Sequence, residues 1–89
     1  MNEVKKIKCN NINYRKGYIE VTPNINKGFI NLETWDVHVD VDLTKTDINT
    51  DGFPENGITS NTEIELSVSE AEELIVKLQE SIIKAKQNA

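Results

Sequence analysis

Cys9 is the only cysteine in the chain, so no intramolecular disulfide can form and nothing points to an oxidising compartment. Histidine is equally scarce. One imidazole, His38, and one thiol are too few nitrogen and sulfur ligands for zinc. A lone histidine without a recognisable nucleophile and base is also a poor start for hydrolysis, so a non-enzymatic role is expected. No apolar run is long enough to span a membrane, and the segment from Met1 to Tyr14, interrupted by Lys5, Lys6 and Lys8, predicts no signal peptide. The expected location is the cytoplasm.

The 89 residues predict one domain, 1–89, and a chain this short buries only about 60 to 65 per cent of the surface its unfolded form exposes. A deep, dry pocket is hard to carve from so small a core, so sites at subunit boundaries and a homo-oligomer are expected. Nine lysines against one arginine, with abundant asparagine and isoleucine, reflect AT-rich codons and suggest a phage or other mobile element as the source. The net charge of −5 is unevenly spread: residues 1–30 sum to +4, residues 31–66 to −8 and residues 67–89 to −1. Such a division supplies one surface for an anion and another for a basic partner. The overall negative charge disfavours direct binding to duplex nucleic acid.

Apolar periodicity gives the elements. Val4 to Cys9 predicts a first strand, with Ile7 and Cys9 in phase, and Asn10-Asn11 a turn. Tyr14-Arg15-Lys16-Gly17-Tyr18 reads as a glycine turn between two strands. Ile19 and Val21 share a face until Pro23-Asn24 and Asn26-Lys27-Gly28 close that strand. Ile30 and Leu32 then fall on even numbers, whereas Trp35, Val37, Val39, Val41 and Leu43 fall on odd ones. A β-bulge near Glu33-Thr34 is expected to absorb the change within one long strand. Residues 44–61, rich in Thr, Asn, Asp, Gly and Pro, predict a long loop, and Glu63 to Leu66 a short strand.

Ser67-Val68-Ser69-Glu70 is a capping box, and Ala71, Leu74, Ile75, Leu78, Ile82 and Ala85 follow in one helical stripe, widened by Val76 and Ile83. The spacing predicts a helix over about 68–87. The fold class is therefore α+β: an antiparallel twisted sheet of about four to five strands with one C-terminal helix packed on one face. Leu78 is expected in the core between them.

Three groups of residues are candidates for function. Tyr14, Arg15, Lys16 and Tyr18 interleave aromatic rings with cations, a combination that stacks on bases and pairs with phosphates, so they predict a site for a small anionic, nucleotide-like ligand. Tyrosines flanking a hairpin turn also serve cross-strand packing. Asp36, His38, Asp40 and Asp42 alternate with apolar residues, which in a strand spaces them about 6.6 Å apart along one face. That face would either receive a protein partner or simply discourage edge-to-edge stacking. Asp47, Asn49 and Asp51 precede Gly52 as in the first half of a calcium loop. Ile58 stands where the bidentate glutamate should be, so a true EF-hand is rejected; a Ca2+ site would need Glu55, Asp42 or another subunit to complete it.

The function expected from these features is a small binding protein that sequesters an anionic signal ligand or inhibits a host protein. Two alternatives stand beside it: an acidic decoy that imitates nucleic acid, and a calcium-stabilised structural module.

Overall fold

The computed structural model describes residues 5–45 and 57–88. Four strands, β1 (Lys5–Cys9), β2 (Gly17–Pro23), β3 (Phe29–Val37) and β4 (Ile58–Ser67), precede the helix α1 (Val68–Gln87). The strands form one open antiparallel sheet in the order β1-β2-β3-β4, so the chain is α+β. β4 begins at Ile58 rather than near Glu63, and takes in residues expected in the loop. Thr59 to Thr62 offer little apolar alternation, but β3 provides a ladder for them, and pairing satisfies their backbone groups.

The hairpin between β2 and β3 is built by its side chains. Asn24 takes φ 60° and Gly28 φ 83°, the Asn24 N–H donates to the Phe29 carbonyl at 2.9 Å, and the Gly28 N–H donates to Asn24 Oδ1 at 3.0 Å. Asparagine and glycine tolerate the left-handed region this turn requires.

The change of apolar parity along β3 is resolved differently from the expected bulge. Register runs unbroken through Glu33 and Thr34, opposite Glu20 and Ile19 on one side and Glu63 and Thr62 on the other. The two apolar series therefore lie on opposite faces of the sheet. Ile7, Ile19, Val21, Ile30, Leu32 and Ile64 share one face, face A. Tyr18, Trp35 and Val37 share the other, face B.

The buried apolar core lies at one end of face B. Tyr18, Val37 and Leu43 are buried, and Trp35 and Val41 pack against them. Tyr18 and Trp35 are cross-strand neighbours whose rings stack with centroids 5.8 Å apart. Gly17 permits this pairing, because a Cβ there would lie 1.8 Å from the Trp35 carbonyl oxygen and 2.9 Å from its carbon. Both are backbone atoms and cannot move aside. A row of carboxylates also crosses face B, where Glu20, Glu33 and Glu63 stand opposite one another. Like charges so placed repel; Lys6 Nζ lies 3.7 Å from Glu20, and the Asn61 and Asn31 amides donate to Glu33 and Glu63.

The helix matches its expected bounds and its cap. The Glu70 N–H donates to Ser67 Oγ at 3.2 Å, and the Ser67 N–H returns a bond to Glu70 Oε1 at 2.8 Å. The Ser67 N–H and then the Ser67 hydroxyl hold the Glu70 carboxyl below its ordinary range. The expected packing of α1 on the sheet is not found: no helix residue is buried, and Leu78 is 53% exposed. β4 ends at Ser67 and α1 begins at Val68, leaving no residues to reverse the chain and lay the helix back over its own sheet. The Cα radius of gyration is accordingly 14.6 Å, whereas a compact domain of this length has about 12 Å.

Three outcomes are expected. Leu43, the one fully buried large side chain among the described residues, should cost about 2 to 5 kcal/mol on replacement by Ala, measured by denaturant unfolding. Gly17→Ala should destabilise by about 3 kcal/mol and quench the ordered Trp35 signal, because backbone must shift to admit the methyl. In an acid titration followed by helix circular dichroism, the advantage of the native chain over Glu70→Ala should be complete above the ordinary carboxylate pKa. It should fade as the pH falls through the lower folded value, since a depressed pKa stabilises only while the group is ionised.

Candidate functional site

β2 cannot begin before Gly17, and the seven residues before it, Asn10 to Lys16, form a loop tied to the end of β3. The Val37 N–H donates to the Lys16 carbonyl at 3.1 Å, and the Arg15 N–H closes a turn onto the Ile12 carbonyl at 3.1 Å. A second tie runs from the Leu43 N–H to Asn10 Oδ1 at 3.3 Å. The loop is thus fixed against the same end of the sheet that holds the small core.

A cleft of about 390 Å3 opens there, lined by Tyr14, Arg15, Lys16, Asp36, Val37 and Thr59. Three of the four residues expected to hold an anion meet in it. Tyr14 is 78% exposed, leaving its ring open for stacking. Lys16 is only 8% exposed, and its Nζ reaches Asn13 Oδ1 at 3.5 Å, the outer limit of a hydrogen bond. Among the described residues no carboxylate pairs with it. That one long contact leaves ammonium donors that an anion in the cleft would accept from. Tyr18 instead lies in the core, stacked on Trp35. Burial raises its phenol pKa, and the charges of Glu20 and Glu33 raise it further, so it stays neutral.

Thr59 is the lining residue that periodicity could not reveal. Ser60 pairs with Asp36 and Ile58 with Val37, so Thr59 is the extra residue of a bulge in β4. Bulges re-aim side chains and recur beside binding sites. The sequence signal for it was absent because a bulge is a property of two paired strands. Among the described residues Asp36 is the one acidic side chain lining the cleft, and its carboxylate accepts a hydrogen bond from the Ser60 hydroxyl. A shallower depression of about 180 Å3 adjoins on face A, where Cys9, Gly17, Ile19 and Thr34 lie beside Arg15 and Lys16.

The four-residue acidic face does not form as expected, because β3 ends at Val37. Beyond it neither neighbouring strand continues: β2 starts at Gly17, opposite Asp36, and β4 starts at Ile58, opposite Val37. The His38 N–H makes one last bond to the Gly57 carbonyl at 2.8 Å, and the chain then turns through Val41 N–H to His38 carbonyl at 2.9 Å. His38 Nδ1 accepts from the Asp40 N–H at 3.1 Å and lies 3.4 Å from Asp40 Oδ2 in this exposed turn. Asp42 caps the next one, accepting from Thr44 Oγ1 at 2.6 Å and from the Thr44 N–H at 3.0 Å. The Thr44 hydroxyl and then its N–H hold the Asp42 carboxyl below the usual range, helped by Lys45 and Asn10. Asp36, His38, Asp40 and Asp42 therefore serve three separate local structures.

Asp47, Asn49 and Asp51, the expected calcium ligands, lie outside the described residues. Among the described residues no three His, Cys, Asp or Glu side chains group as metal ligands, and no helix is long and apolar enough to cross a membrane. No family model, curated protein or solved structure matches the chain.

Proposed function

We propose that the chain is a non-enzymatic, homo-oligomeric binding protein that captures a small anionic, nucleotide-like ligand in the cleft beside Tyr14, Arg15 and Lys16. The observation that carries this reading is Lys16, a largely buried residue at the cleft wall whose ammonium makes one long contact, to Asn13. A phosphate would complete its coordination, Arg15 would supply a second, planar cation, and the exposed Tyr14 ring would offer a face to a base. Asp36 restricts the choice of ligand, since its carboxylate repels anionic oxygens placed beside it and accepts from an amino or hydroxyl group. A phosphate at one end and a hydrogen-bond donor at the other suit a nucleotide better than a plain inorganic anion. His38 does not line the cleft and is engaged with Asp40.

Native mass spectrometry of freshly purified protein should show added mass of nucleotide size. Calorimetric titration with nucleoside monophosphates and diphosphates should then give binding that Arg15→Glu weakens at least about tenfold, the loss of one charge-assisted contact. Tyr14→Ala should weaken nucleotides more than inorganic phosphate. Binding indifferent to Arg15→Glu, or none in the whole series, would refute the proposal.

A further inference from the structure

The chain leaves two apolar surfaces uncovered that are of complementary kinds. Face A presents an apolar sheet surface on which Ile7 is 54% and Ile64 61% exposed, and none of Ile19, Val21, Ile30 and Leu32 is buried. The helix presents Leu74, Ile75, Leu78 and Ile82, all exposed. A sheet face of this composition ordinarily carries a helix, and an amphipathic helix ordinarily draws its stability from the surface it packs on. Both halves of such a layer pair are present, yet the direct junction of Ser67 to Val68 keeps them apart within one chain.

We infer that a second copy of this chain supplies the missing contact, with α1 of each protomer lying across face A of its partner in a reciprocal dimer. Three observations favour this occupant. The dimensions match, because 20 helical residues span about 30 Å, and the ten residues of β4 span about 33 Å. The exposed area is sufficient: the chain exposes 6992 Å2, whereas a compact monomer of 10.1 kDa exposes about 5300 Å2. That excess is about twice the roughly 800 Å2 per partner of an ordinary stable interface.

A helix-on-sheet contact also covers both open surfaces, whereas a helix pair covers one. A two-helix coiled coil wants a narrow seam in which every a and d position is apolar. Val68, Ala71, Ile75, Leu78, Ile82 and Ala85 do fill such a seam, but a helix pair built on it would leave the apolar face A of both chains uncovered. Leu74 widens the stripe beyond that seam, and a helix on a flat sheet surface would cover it together with face A. In such a reciprocal arrangement each contact occurs twice, which is the self-complementary geometry of a two-fold dimer.

This inference rests on the homo-oligomeric part of the proposed function and is independent of the anion cleft. Light scattering on the native chain should give a dimer, and Leu78→Glu should give a monomer that retains the Trp35 fluorescence of the face B core. The surfaces are identified by cross-linking in a Cys9→Ser background, mixing tagged chains carrying Ile64→Cys with untagged chains carrying Leu78→Cys after subunit exchange. A short bis-maleimide should join tagged to untagged chains. A dimer in which Leu78→Cys chains join only one another would overturn the helix-on-sheet arrangement while leaving the oligomer intact. A monomeric native chain would overturn both, and neither result bears on anion binding.

Discussion

β3 carries two apolar series of opposite parity through an unbroken ladder, and most of the structure follows from that constraint. A strand residue's face is fixed by its position in the alternation, so Ile30 and Leu32 cannot share a surface with Trp35 and Val37 unless an extra residue intervenes. None does at Glu33 and Thr34, where the chain pairs in register with both neighbours. The apolar content of a small sheet is thus divided between its faces. One end of face B, closed over by Val41 and Leu43, becomes the core, and face A is left open.

That core in turn positions the cleft. The close approach of β2 to β3 at Gly17 sets the Tyr18 and Trp35 rings against each other, and the same approach brings the Lys16 carbonyl to the Val37 amide. Tyr14, Arg15 and Lys16 are carried to the end of the sheet by these bonds. The bulge in β4 adds Thr59 to the lining of that cleft. Packing and site are therefore two consequences of one strand crossing, with the aromatic pair on the inside and the cations at the rim.

The helix shows how a strong local signal can coexist with a missing tertiary contact. Its capping box satisfies two terminal amides and sets where the helix starts, whatever lies nearby. Amphipathic residues then continue to Gln87, but amphipathicity states only that a partner surface is needed and not which molecule provides it. The apolar stripe and the open sheet face have the same origin, a chain with more apolar surface than its own topology can cover.

Locally encoded features were legible in the sequence: the capped helix, the Asn24 to Gly28 turn, the antiparallel strand grammar, and the clustering of Tyr14, Arg15 and Lys16 in one segment. Each depends on residues within a few positions of one another, where backbone geometry and short-range hydrogen bonds decide the outcome. Tertiary structure alone decided the rest. Whether Asp36 to Asp42 formed a strand depended on where β2 and β4 ran out of pairing groups, and Tyr18 was assigned to the core rather than to the cleft by its neighbour Trp35. The role of Thr59 required two strands of unequal count. These outcomes turn on contacts between residues distant in the chain, and periodicity within one segment carries no information about which segment lies beside it.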